Sequence, residues 1–212
     1  MKYIIMCGGT YPKWKTPRWF VKVNGERIID RTIRLLKENG VMDIAISSNY
    51  DIFDYIDIPI LQHENNYVYY DNKTDGSGQW IDAFYPTDEE ACYIFGDVIF
   101  SPNAIKKIVE TQTNDIEFFA SAPPFAYNYP KPWAEPFAFK VVNQKHFKEA
   151  IEEAKQLQRE GKLKRLISWE LWQVIKHTQL RVIDYKNYTV INDYTCDIDS
   201  EGDVAYWKKI YQ

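Results

Sequence analysis

The chain has 212 residues, a formal net charge of -4 and an isoelectric point near 5.5. That length suffices for one well-buried domain, expected to span residues 1–212, and the acidic balance argues against a nucleic-acid binder, which needs a broad basic face. No run approaches the roughly 18 apolar residues of a membrane span, and the first apolar run is too short for a secretory signal, so a cytoplasmic protein is expected.

The opening run Tyr3, Ile4, Ile5, Met6, Cys7 reads as a buried strand and stops at Gly8 and Gly9. A cationic, aromatic segment follows (Lys13, Trp14, Lys15, Thr16, Pro17, Arg18, Trp19), then an extended run from Phe20 to Val23, a turn at Asn24 and Gly25, and a helix start near Ile28. A buried strand that empties into a glycine-containing cationic loop suits phosphate: glycine lets backbone N–H groups come close to an anion, and lysine and arginine neutralise it. The plainer alternative is a tight turn and nothing more.

Asp30 to Asn39 has the apolar spacing of an amphipathic helix stopped by Gly40. Asp43 to Ser47 alternates as a short strand, and strand, helix, strand at this spacing is a parallel crossover unit. A third strand is expected at Ile58–Leu61. The polar, tyrosine-rich stretch from His63 to Asp75 suits an ordered loop, and a helix is expected to begin at Gln79 behind Gly76, Ser77 and Gly78.

Ala91 to Phe95 is almost continuously apolar, as a strand covered on both faces should be, and it ends in Gly96 and Asp97. A carboxylate just past the carboxyl end of a central parallel strand lies on the edge where open α/β sheets bind ligands, although it also suits a cap for the helix expected from Ser101 to Thr111. A strand follows at Ile116–Ser121. The proline-rich aromatic insertion from Pro123 to Trp133 is expected as a lid or wall, and another strand at Phe137–Val142 has Glu135 just before it.

Gln144 to Lys176 is helical in pattern with a charged break near Gly161. Trp169 and Trp172 lie three apart, which favours packing on one face. Short strands are expected at Leu180–Tyr185 and Tyr188–Asn192. Asp197, Ile198, Asp199 and Ser200 then open a terminal helix whose first turn is acidic. The three cysteines (Cys7, Cys92, Cys196) are far apart and read as free thiols, and His63, His146 and His177 have no paired spacing for zinc.

Three blocks together resemble the nucleotidyltransferases that activate sugar phosphates or phosphocholine by joining them to a nucleotide. The first is Gly8-Gly9-Thr10 with Thr16-Pro17-Arg18 and Val23-Asn24-Gly25, the second Gly96-Asp97 with Phe100, and the third Ile198-Asp199-Ser200. The double glycine is also similar to that of the molybdenum-cofactor guanylyltransferases. The resemblance implies a three-layer α/β/α fold with a mixed, mostly parallel central sheet, nucleotide-diphospho-sugar transferase-like. It implies Mg2+ on Asp97 and Asp199, with Asp197 as substitute, and a base held by Gly76, Ser77 and Gly78. Gly8, Gly9 and Thr10 would approach the triphosphate, while Lys13, Lys15 and Arg18 clamp the leaving group and the acceptor phosphate. A residue like Glu135 would contact the acceptor. Arg18 stands where the family carries lysine, and a guanidinium forks across two oxygens where an ammonium is a point charge.

The expected reaction joins a nucleoside triphosphate (CTP, UTP or dTTP) to a phosphate monoester such as a sugar 1-phosphate, with pyrophosphate leaving, for cell-surface polysaccharide synthesis. One rival is a metal-dependent glycosyltransferase of similar architecture, whose Asp-x-Asp motif is not met here because Val98 and Ile99 follow Asp97. Another is a nucleotide-binding module without catalysis. A dehydrogenase is disfavoured, since no third glycine follows at helix-opening spacing.

Overall fold

The computed structural model describes residues 1–9, 16–67, 79–123, 133–163, 165–180 and 182–210. In chain order these form β1 (Lys2–Met6), a 3-10 turn (Arg18–Phe20), β2 (Lys22–Val23), β3 (Glu26–Arg27), α1 (Ile28–Glu38), β4 (Ile44–Ser48) and β5 (Ile60–Gln62). A second 3-10 turn (Gln79–Ala83), β6 (Ala91–Phe95), β7 (Val98–Ile99), α2 (Pro102–Glu110), β8 (Ile116–Ser121) and β9 (Pro136–Val141) follow. The remainder is α3 (Gln144–Arg159), α4 (Ser168–Ile175), β10 (Thr189–Ile191), β11 (Cys196–Asp197) and α5 (Glu201–Ile210).

Among the described residues, seven strands make one sheet in the order β10-β8-β9-β6-β1-β4-β5. β1 pairs parallel with both β4 and β6, and β9 runs antiparallel between β6 and β8. The sheet is therefore mixed and mostly parallel, as expected. Side chains of β1 alternate between two cores, which is the period of two that a pleated strand imposes. Ile4 and Met6 face a core shared with Phe147 of α3 and Trp172 of α4. Tyr3 and Ile5 face the other, shared with Ile29 and Leu36 of α1 and Ile105 of α2. Helices on both faces explain why β1 from Tyr3 onward and β6 are apolar rather than alternating.

The Asn24-Gly25 turn closes the β2–β3 hairpin, with Lys22 opposite Arg27 and Val23 opposite Glu26. Both turn residues have positive φ, 50° and 83°, the conformation that a two-residue hairpin of this hand requires and that Asn-Gly adopts most readily. The extended run expected at Phe20–Val23 is shorter than its apolar pattern suggested. Its first residue belongs to the 3-10 turn, which buries Trp19 completely against Tyr50 and Phe53.

The strand expected at Leu180–Tyr185 does not form among the described residues there. Buried Gln173 satisfies that segment instead, its amide nitrogen donating to the carbonyls of Gln179 and Val182 at 2.6 and 2.7 Å. Trp169 and Trp172 pack on Phe118, 2% and 1% exposed, as their spacing indicated. No helix among the described residues is long and apolar enough to cross a membrane.

Candidate active site

β1 and β6 end side by side, Met6 opposite Phe95, so that Gly8 and Gly9 emerge next to Gly96 and Asp97. The approach is close at Gly96, where an added Cβ would sit 2.5 Å from the Met6 carbonyl oxygen. Gly9 has φ +99°, a backbone conformation that a side chain would strain. Its N–H donates to Asn49 Oδ1 at 3.0 Å, and its carbonyl accepts from the Tyr50 hydroxyl at 2.7 Å. Gly8 is hemmed in by the His63 ring, whose Nε2 would lie 2.7 Å from an added Cβ. The glycines thus hold the loop tight against β4 and the chain beyond β5.

A second, antiparallel ribbon brings the tail of the chain to the same edge. β11 pairs with β7, Cys196 opposite Ile99 and Asp197 opposite Val98, and the Ile198 N–H continues the ladder to the Asp97 carbonyl at 3.0 Å. A small core of Val23, Ile28, Ile99, Cys196, Ile198 and Trp207 fixes this ribbon beneath α5. The capping roles considered for the aspartates fall to other residues. Ser101 caps α2, its Oγ accepting from the Ala104 N–H at 2.9 Å. At α5, Asp203 Oδ2 accepts from the backbone N–H groups of Asp199 and Ser200, and the Ser200 hydroxyl accepts from the Asp203 N–H. The Asp97 and Asp199 carboxylates are left to face the cleft.

They meet at Arg18. Its Nη1 lies 3.3 Å from Asp97 Oδ2 and 3.0 Å from Asp199 Oδ1. Burial pushes the Asp97 carboxyl above the usual carboxylate range; Arg18 pulls it back, and the Asp199 and Glu135 charges add to the rise. Glu135, only 3% exposed, leads into β9 and accepts from the Trp133 indole N–H. One oxygen each of Glu135, Asp197 and Asp199 lie within 4.8 Å of one another, a set able to hold a metal ion. Asp97 stands outside that trio and is tied to it through Asp199 and Arg18. All of these donors are oxygens, and hard oxygen donors suit magnesium rather than zinc.

These residues line a cleft of about 670 Å³. Its lining includes Met6, Gly8, Gly9 and Phe95 at the ends of β1 and β6, and the aromatic side chains of Trp80, Trp133, Trp169 and Tyr185. Two of the indoles are fixed by backbone carbonyls, Trp80 on Leu166 at 2.7 Å and Trp169 on Ala134 at 2.8 Å. Arg165 also lines the cleft, its side chain 55% exposed and its Nε 3.3 Å from Glu170 Oε1. Burial raises the Glu170 carboxyl while Arg165 opposes that rise.

Of the residues expected from sequence, Gly8, Gly9, Arg18, Asp97 and Asp199 lie together on this cleft. Thr10, Lys13, Lys15, Gly76, Ser77 and Gly78 lie outside the described residues, as does most of the proline-rich insertion. Arg165 was not singled out; the only sign of it in the sequence is the charged break after Gly161.

The sequence matches no protein-family model and no curated protein. Solved structures do match. A protein of Bacillus anthracis described as a glucose-1-phosphate thymidylyltransferase superposes with a TM-score of 0.64 at 16% identity, over 99% of this chain and 94% of its own. The 2-C-methyl-D-erythritol 4-phosphate cytidylyltransferase of Thermus thermophilus gives 0.58 at 12% identity, over 99% and 97%. The CTP:phosphocholine cytidylyltransferase of Streptococcus pneumoniae gives 0.57 at 16% identity, over 100% and 99%. At these identities the likeness is one of architecture, and with its mixed seven-stranded sheet between two helical layers the chain has the nucleotide-diphospho-sugar transferase fold.

Proposed function

We propose that the chain is a magnesium-dependent nucleotidyltransferase, joining a nucleoside triphosphate (CTP, UTP or dTTP) to a small phosphate monoester such as a sugar 1-phosphate. The observation that carries this reading is the meeting of Asp97, Asp199 and Arg18 at the carboxyl end of β1 and β6, inside a cleft of about 670 Å³. Opposite charges on one sheet edge, in a cleft of the roughly 300–1,000 Å³ that small ligands occupy, suit an anionic substrate. The solved structures of the same fold include proteins named as transferring nucleotides to phosphorylated small molecules.

In this reaction an oxygen of the acceptor phosphate attacks the α-phosphorus. A new P–O bond forms, the bond to the β-phosphate oxygen breaks, and pyrophosphate departs with that electron pair. Asp199 with Asp97, Glu135 and Asp197 would hold a magnesium ion, which when bound neutralises charge on the polyphosphate. Arg18 neutralises further charge on the leaving group. Arg165, the second guanidinium lining the cleft, is assigned to the acceptor phosphate, and the aromatic side chains of the lining enclose the acceptor's body and exclude water. Positioning and charge stabilisation then supply the rate without a covalent intermediate.

The test is pyrophosphate release measured with a panel of nucleoside triphosphates and phosphorylated acceptors. Release dependent on both substrates and on divalent metal supports the proposal. Sugar transfer from a nucleotide sugar, with no pyrophosphate formed, would identify a glycosyltransferase instead, and binding without turnover a nucleotide-binding module.

A further inference from the structure

Arg165 lines the cleft from the irregular chain just ahead of α4, with its side chain 55% exposed. A long side chain in that setting has rotamer freedom to lose before it can serve a ligand. The neighbouring helix offers it a fixed partner. Glu170 belongs to the first turn of α4, a helix whose every residue is buried, and is itself 7% exposed. Arg165 Nε donates to Glu170 Oε1 at 3.3 Å. Engaging Nε leaves the two terminal nitrogens of the guanidinium, the pair that forks across two oxygens of a phosphate.

The burial of Glu170 calls for a reason. Its Oε2 is buried and has no hydrogen-bond partner among the described residues. Burial raises the carboxyl, and the Arg165 charge opposes that rise ahead of the backbone of Glu170 and of Ile167. A carboxylate that served only the N-terminus of α4 could do so from the surface and keep its water. Glu170 is not among the residues lining the cleft, yet its partner Arg165 is. Tyr185, also in the lining, has its phenol raised mainly by burial and feels the charges of Arg165, Glu135 and Glu170 together, which sets the ion pair beside the interior of the cleft.

We propose that Glu170 is a positioning residue for the acceptor phosphate: it grips Arg165 by Nε and so presents the terminal nitrogens of the guanidinium to the cleft. This inference rests on the nucleotidyltransferase reading above, in which Arg165 serves the acceptor. Lysine would not substitute at position 165, because its single ammonium would be drawn to Glu170 and away from the phosphate.

The test has two arms. In the first, modification of Arg165 by phenylglyoxal is followed by peptide mass spectrometry, with inorganic phosphate as the probe. Phosphate is expected to protect Arg165 in wild type, and Glu170→Gln to need about tenfold more phosphate, the worth of one hydrogen bond to a charged group. In the second, KM for the acceptor is measured by pyrophosphate release in Glu170→Gln, Arg165→Ala and the double variant. Glu170→Gln is expected to raise that KM about tenfold with kcat little changed, and to add nothing once Arg165 is alanine. A carboxylate that only supported α4 would cost the same in either background. Arg165→Lys, which alters an exposed side chain and leaves the fold alone, is expected to fall nearer to Arg165→Ala than to wild type. Equal protection in wild type and Glu170→Gln, no protection in wild type, additive effects in the cycle, or wild-type kinetics in Arg165→Lys overturns the positioning role. Protection that depends on Glu170, in a protein that releases pyrophosphate with no substrate pair, upholds the grip on Arg165 and overturns the nucleotidyltransferase reading instead.

Discussion

The Ile198 backbone N–H donates to the carbonyl of Asp97 at 3.0 Å, tying the last segment of the chain to the end of the central strand. That bond extends the β7–β11 ladder by one rung and brings Asp199 into the lining of the cleft. The site is thus assembled by backbone pairing, and its charged side chains can be altered without unfolding the sheet.

Asp97→Asn is expected to lower turnover by about 10²–10³-fold, the usual cost of removing one preorganised charge-stabilising group. Because burial raises this carboxyl, exchanging it for a neutral amide is expected to leave the thermal midpoint unchanged or higher. Pyrophosphate release and a melting curve on the same preparation check both halves. Undiminished turnover would remove Asp97 from the mechanism.

Arg165→Ala is expected to raise KM for the phosphorylated acceptor by about 10- to 100-fold, the worth of a hydrogen bond to a charged group. KM for the nucleoside triphosphate should hardly move, because the proposed reaction assigns the polyphosphate to Arg18 and only the acceptor phosphate to Arg165. Steady-state kinetics with each substrate varied in turn decide this. Equal effects on both constants would place the two substrates differently in the cleft.

Gly8→Ala drives a methyl group onto the His63 ring, and a shift of about 1–2 kcal/mol against folding is expected from the crowding. The double variant Gly8→Ala, His63→Ala should recover most of that loss, since the atom struck is then gone. A double-mutant cycle by urea denaturation measures the coupling. Strict additivity would mean that the backbone, not His63, resists the methyl.

His63 also predicts a pH dependence of stability. Burial holds its ring below the ordinary value of 6.5, against smaller raising effects of the Glu64 carbonyl and Asp82. The unfolded chain therefore takes up a proton before the folded one does. Stability is complete above pH 6.5 and is lost as pH falls toward the lower folded value. Urea midpoints on either side of 6.5 should show a decline in wild type that is smaller in His63→Gln. Parallel declines in the two proteins would assign the effect to other groups.

Much of the architecture follows from local pattern. Runs such as Ile4–Cys7 and Ala91–Phe95 can only be strands covered on both faces, and Asn24-Gly25 can hardly be anything but a tight hairpin turn. Patterns fail where a residue's role depends on a partner distant in the chain. The apolar content of Leu180–Tyr185 suggested a strand, yet the segment is served by the amide of Gln173. Arg165 carries no motif, and only the packing of α4 against the sheet turns a charged break into a wall of the cleft.

The sequence alone determined the alternation of strands and helices, the glycine pair, and the aspartates at the ends of apolar runs, because burial periodicity and turn chemistry act over a few residues. Only the tertiary structure decided which charges meet. The placement of β9 between β6 and β8, the closure of β11 on β7, and the insertion of Arg18 between Asp97 and Asp199 depend on long-range pairing. Electrostatic energy falls with distance in space, and a linear order of residues does not contain that distance.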